Sequence, residues 1–110
     1  MKKSEIKFTV TVDENNLPVN IDWSAEDANE KSTCKSAMIA LWDGKENNTL
    51  RIDLWTKDMM VDEMKIFYHQ CLLSMADTFE RATNEAEVAK EMRGFAQHFG
   101  EKLNLIKKGV

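Results

Sequence analysis

The side chains able to do chemistry in this chain are His69, His98, Cys34, Cys71 and a scatter of carboxylates: Asp43, Asp53, Asp58, Asp62, Glu63 and Asp77. His69 and Cys71 stand two apart in a stretch of helical periodicity. They point to different faces and share a metal poorly, and no second ligand pair stands at the i, i+4 spacing. His98 is alone on a later helix. General acid–base catalysis needs two carboxylates held together in a cleft. Asp58, Asp62 and Glu63 are better placed to open a helix and line its solvated face. No Ser or Cys sits in a nucleophile elbow, and Gly44 stands alone, so no phosphate cradle is written in the chain. The expectation is no catalytic residue, no metal ligand set and no cofactor.

Aromatic and sulfur side chains carry a different signal. Six methionines beyond Met1 gather around the first helix, where they either fill a core or line an adaptable surface. Trp42 and Trp55 fall on one face of a strand pair with Met38 and Arg51 between them. Large apolar residues exposed together mark an interface. Met38, Trp42, Arg51 and Trp55 are therefore the candidate interface, unless the polar segment 24–35 folds over them. Asp77 and Arg81 form an i, i+4 pair of stabilising orientation near the end of the first helix.

These residues must be positioned by strands and helices that the hydrophobic pattern outlines. Residues 4–12 alternate, with Ile6, Phe8, Val10 and Val12 on one side. Asp13-Glu14-Asn15-Asn16 is a turn, and Leu17, Val19, Ile21 and Trp23 alternate again. A four-residue loop pairs Val12 with Leu17, Val10 with Val19, Phe8 with Ile21 and Ile6 with Trp23. Pro18 donates no backbone hydrogen bond and leaves its strand exposed there. Residues 24–35 read as a polar connection with room for one helical turn, capped by Ser24. Strands 36–42 and 49–55 pair Leu41 with Leu50, Ile39 with Ile52 and Ala37 with Leu54.

Thr56 reads as the cap of a helix of about six turns ending near Arg81. Its stripe is Met60, Met64, Phe67, Cys71, Leu72 and Met75, widened by Val61, Tyr68 and Phe79. Asn84 and Glu87 resemble a capping box for a second helix. That helix carries Val88, Met92, Phe95, Ala96, Phe99, Leu103 and Ile106, then Lys107 and Lys108, and ends at Gly109. Gly94 and Gly100 either weaken it or permit close packing. The order β-β-β-β-α-α predicts an α+β fold. A four-stranded antiparallel sheet carries both helices on one face, in a single domain over residues 1–110.

Composition bounds the rest. The chain has 110 residues, 43% apolar and 31% charged, with a formal charge of −4. An acidic chain of this kind lacks the basic stripe of a nucleic-acid binder. No apolar run reaches the roughly 20 residues of a membrane span, and MKKSEIKF has no apolar segment of a signal peptide. The expected compartment is the cytoplasm, where Cys34 and Cys71 stay reduced.

Specific strings add a family resemblance. Ala40-Leu41-Trp42-Asp43-Gly44, the run from Asn48 to Met59 (NTLRIDLWTKDM), and Met75-Ala76-Asp77-Thr78 with Arg81-Ala82-Thr83 resemble the gliding-motility GldC family. The opening Ser4-Glu5-Ile6-Lys7 fits as well. The resemblance implies a small cytoplasmic accessory of gliding, associated with type IX secretion. The candidate interface adds the expectation of a protein partner, either a component of that machinery or a second copy in a homodimer. The resemblance implies no reaction, cofactor or catalytic residue. The alternative is a small enzyme using Asp53 or Asp58 in a pocket between sheet and first helix.

Overall fold

The computed structural model describes residues 1–107. The chain divides into two compact units, Met1–Met59 and Met60–Val110. The first holds β1 (Ile6–Val12), β2 (Pro18–Ala25), β3 (Glu30–Cys34), β4 (Ser36–Asp43) and β5 (Asn48–Trp55). The second holds α1 (Val61–Thr83) and α2 (Ala86–Lys102).

The α+β class stands, but the expected four-stranded sheet does not. The described residues form five strands in two antiparallel sheets, β1-β2-β3 and β4-β5. The added strand comes from the polar segment read as a connection. Glu30–Cys34 pairs with β2 from Ala25↔Glu30 to Ile21↔Cys34. Its side chains are exposed up to Cys34, so the strand needs no apolar alternation and gives none to read. The helical turn expected after Ser24 is instead a four-residue hairpin loop, Glu26 to Asn29, with Asn29 in the left-handed region at φ 50°. Only Lys35 separates β3 from β4, and the chain bends there to change sheets.

The register of β4–β5 is the one the alternation predicts: Leu41↔Leu50, Ile39↔Ile52 and Ala37↔Leu54. The register of β1–β2 is shifted by two residues. Phe8 faces Trp23, Val10 faces Ile21 and Ile6 faces Ala25. The cause lies in the turn. Asp13 Oδ1 accepts the N–H groups of Asn15 and Leu17, and Asn16 takes φ 60°. The turn thereby includes Leu17, and the ladder slips between Thr11 and Val12 to resume at Val12↔Pro18. A slip of two keeps each side chain on its own face, so the apolar alternation survives. Pro18 opens β2, the central strand, at the one position where a missing donor is tolerated.

Thr56 does not cap α1. It is buried, its N–H donates to the Lys35 carbonyl at 2.8 Å, and its hydroxyl donates to Asp58. The helix starts later, after Met60, whose N–H donates to Glu63 Oε1 at 3.0 Å. Asn84, expected to open α2, closes α1 instead, at φ 58° with its N–H on the Glu80 carbonyl. α2 then begins at Ala86 and stops at Lys102. Asn104 adopts φ 59°, Leu105 N–H reaches the Gly100 carbonyl and Asn104 N–H reaches that of Glu101, a Schellman ending. Lys107 lies past this end, and Lys108 and Gly109 fall outside the described residues.

The helices meet through small residues: Ala76 of α1 and Ala89, Ala96 and Gly100 of α2 are the buried ones. Gly100 is a close-packing site. A Cβ there would come 2.8 Å from His69 Nε2 and 2.9 Å from Ile106. Gly94 faces open space. Arg93 bridges the pair, 2.8 Å from both Asp77 and Glu80. Asp77 thus takes its cation from α2. Arg81, its expected i, i+4 partner, donates to Thr78 Oγ1 at 3.3 Å.

Candidate functional site

Alternation along β4 and β5 fixes one face of their sheet. The cross-strand rows are Ser36 with Trp55, Met38 with Asp53, Ala40 with Arg51 and Trp42 with Thr49. All four candidate interface residues lie on it. Trp42 is 66% and Trp55 55% exposed. Thr49 and Trp55 are six residues apart, so the two indoles sit roughly 20 Å from each other along the strands. They are two ends of a strip rather than one cluster.

Arg51 organises the middle of the strip. Its guanidinium is bidentate on Asp53, at 2.8 Å and 3.3 Å, and also lies 3.7 Å from the Met38 sulfur. The bidentate hydrogen bond holds the Asp53 carboxyl below the usual carboxylate range. Alternation places Met38, Trp42, Arg51 and Trp55 here with Asp53 beside them, and Asp53 joins the interface residues through its bond to Arg51. Its position directly opposite Met38 and two residues from Arg51 was the available signal.

Next to Trp55 the strip opens on a shallow cavity of about 230 Å³, lined by Leu17, Pro18, Asp53, Leu54, Trp55 and Lys57. Its far wall is the β1–β2 turn, brought there by two contacts of Lys57. The Lys57 N–H donates to the Pro18 carbonyl at 2.9 Å, and Nζ lies 2.8 Å from Asp13 Oδ2. The opening suits one apolar side chain better than a drug-sized ligand, whose pockets run to about 300–1,000 Å³. Leu17, Pro18 and Lys57 were not singled out as site residues in the sequence, because only the turn's return onto β5 brings them to Trp55.

The two carboxylates of the enzymatic alternative are both committed. Asp53 serves Arg51. Asp58 accepts the Thr56 hydroxyl, which lowers its carboxyl below the ordinary value. A general acid at neutral pH needs a shift the other way. Burial raises the thiols of Cys34 and Cys71, away from the reactive thiolate form. Among the described residues, no group of three or more His, Cys, Asp or Glu side chains could hold a metal ion, and no helix is long and apolar enough to cross a membrane.

These features define a small α+β chain with two exposed tryptophans on one sheet face. The chain belongs to the GldC-like family: residues 18–105 match the model for gliding motility-associated protein GldC-like. That span takes in every string on which the resemblance rested except the opening Ser4 to Lys7. No curated protein and no solved structure matches the chain.

Proposed function

We propose that this protein is a non-enzymatic, cytoplasmic accessory of gliding motility that acts by binding another protein through the β4–β5 strip. The observation that carries this reading is the pair of half-exposed or more exposed tryptophans on one face, Trp42 and Trp55, set about a pre-ordered Arg51–Asp53 pair. Exposed tryptophans beside an Arg held in place by its own acid have the composition of interface hot spots. The cavity beside Trp55 supplies a socket for a partner's apolar side chain. Family membership supplies the process, and an association with type IX secretion comes from the same resemblance. The partner is a cytoplasmic protein, or the cytoplasmic end of a membrane component of that machinery.

A clean deletion in a gliding strain, complemented by wild type and by Trp42→Ala, tests the proposal. Spreading should fall in the deletion, recover with wild type and recover poorly with the variant. Normal spreading with a growth defect cured by a metabolite would favour an enzyme built on Asp53 or Asp58. Affinity capture from the complemented strain then identifies the partner, and loss of that partner with Trp42→Ala ties it to the strip.

A further inference from the structure

β1 is the end strand of its sheet, and no strand among the described residues lies beyond it. End strands are usually blunted by charge, proline, bulges or shortness, since their unpaired N–H and C=O groups template pairing with another chain. The other end strands carry such protection over at least part of their length. β3 is five residues long and begins Glu30-Lys31, β5 carries Arg51 and Asp53, and the first half of β4 is partly or fully buried. β1 has little. It runs seven residues, IKFTVTV, with Lys7 its single charge, and every residue but Val10 is exposed. Ile6 is 69%, Phe8 44% and Val12 46% exposed.

We propose that the free edge of β1 is a self-association site, at which β1 of a second copy pairs antiparallel about a twofold axis through Thr9. The strand is complementary to itself in that register. Ile6 meets Val12, Phe8 meets Val10, Lys7 meets Thr11 and Thr9 meets Thr9, so apolar rows face apolar rows and no lysine faces a lysine. A twofold interface requires such self-complementarity. The flanking acids, Glu5 and Asp13, would approach each other across the axis. Each already carries a lysine of its own, Lys7 at 3.1 Å from Glu5 and Lys57 at 2.8 Å from Asp13. Pairing would join two three-stranded sheets into one of six strands, with the main chain supplying affinity and the side-chain rows supplying register.

Thr9→Lys separates this pairing from the fold. Within one chain, residue 9 faces Asp22 across β1–β2, so a lysine there gains an opposite charge. Across the proposed axis the same change sets lysine directly against lysine. Sedimentation equilibrium of the full chain, from micromolar to near-millimolar, should give a reversible monomer–dimer equilibrium for wild type. Thr9→Lys should raise the dissociation constant roughly tenfold or more with unchanged circular dichroism. In a half-labelled wild-type sample, intermolecular NOEs should link Phe8 of one chain to Val10 of the other. A wild-type chain monomeric throughout the range overturns the proposal. So does a dimer that Thr9→Lys leaves intact, including one that dissociates on Trp42→Ala instead.

Discussion

Lys57 reaches the Asp13 carboxylate, 44 residues back in the sequence, with Nζ 2.8 Å from Oδ2. Its N–H donates to Pro18 next door. One residue thus clasps the exit of β5 to the β1–β2 turn and forms a wall of the cavity beside Trp55. The clasp is acid-labile. The Lys57 hydrogen bond, helped by the N–H groups of Leu17 and Asn15, holds the Asp13 carboxyl below its ordinary value of 3.8. A depressed carboxyl adds stability above its unfolded pKa, and that stability is lost as pH falls through the lower folded value. Lys57→Met should therefore lower the urea midpoint at neutral pH. The gap from wild type should close as the pH drops below the ordinary value. A gap unchanged in acid would mean that packing, and not the ion pair, makes the joint.

The two helix glycines should respond oppositely to alanine. Gly100→Ala forces a methyl against His69 and Ile106 and should cost about 1–3 kcal/mol. Gly94→Ala meets open space and should gain up to about 1 kcal/mol from helix propensity. Thermal and urea unfolding of both variants decide the matter. Equal effects would remove the close-packing role assigned to Gly100.

All five positive-φ positions among the described residues are asparagines: Asn16, Asn29, Asn47, Asn84 and Asn104. Asparagine tolerates the left-handed region better than other residues with a Cβ, though less well than glycine. Asn84 is the clearest test, because it ends α1. Asn84→Gly should leave stability level or raise it slightly, and Asn84→Val should lower it by about 1–2 kcal/mol. Chemical denaturation of the two variants measures this.

Trp42→Ala and Trp55→Ala should weaken partner association by about 2 kcal/mol or more where each is a hot spot, while helical circular dichroism stays near wild type. Binding to a captured partner, followed by calorimetry, gives the loss directly. Unfolding of both variants would place these indoles in the core and end the interface reading.

How far the sequence can be read varies with how local the determining contacts are. The β4–β5 register was legible because Leu50, Ile52 and Leu54 alternate cleanly along β5, the turn length fixes the pairing of the apolar run of β4 against them, and no bulge intervenes. The β1–β2 register was not, because the Asp13 side chain and the left-handed Asn16 set the turn length. β3 was invisible because an exposed strand such as Glu30–Cys34 carries no apolar period. Thr56 looks like a helix cap from its neighbours alone. Its true partners, the Lys35 carbonyl and Asp58, turn it inward, and Glu63 does the capping at Met60. Arg93 was missed for the same reason as Lys57: each finds its acid across a long stretch of chain. Of the site, the four strip residues were legible from alternation, and the Arg51–Asp53–Met38 contact followed only from the geometry.

The arrangement of strands and helices also bears on how fast the chain can assemble. In each sheet every hydrogen-bonded neighbour is also the next strand in sequence, and α1 is followed at once by α2. Among the described residues no strand is inserted between two that precede it in the chain, and no crossover connection must be closed first. Such pairings require only short loops to form, so the entropic barrier to each is small. Refolding should be rapid for a β-containing chain, with the hairpins able to form on the microsecond scale before they consolidate. A newly made chain would then pass little time with its strand edges and apolar faces open to other chains.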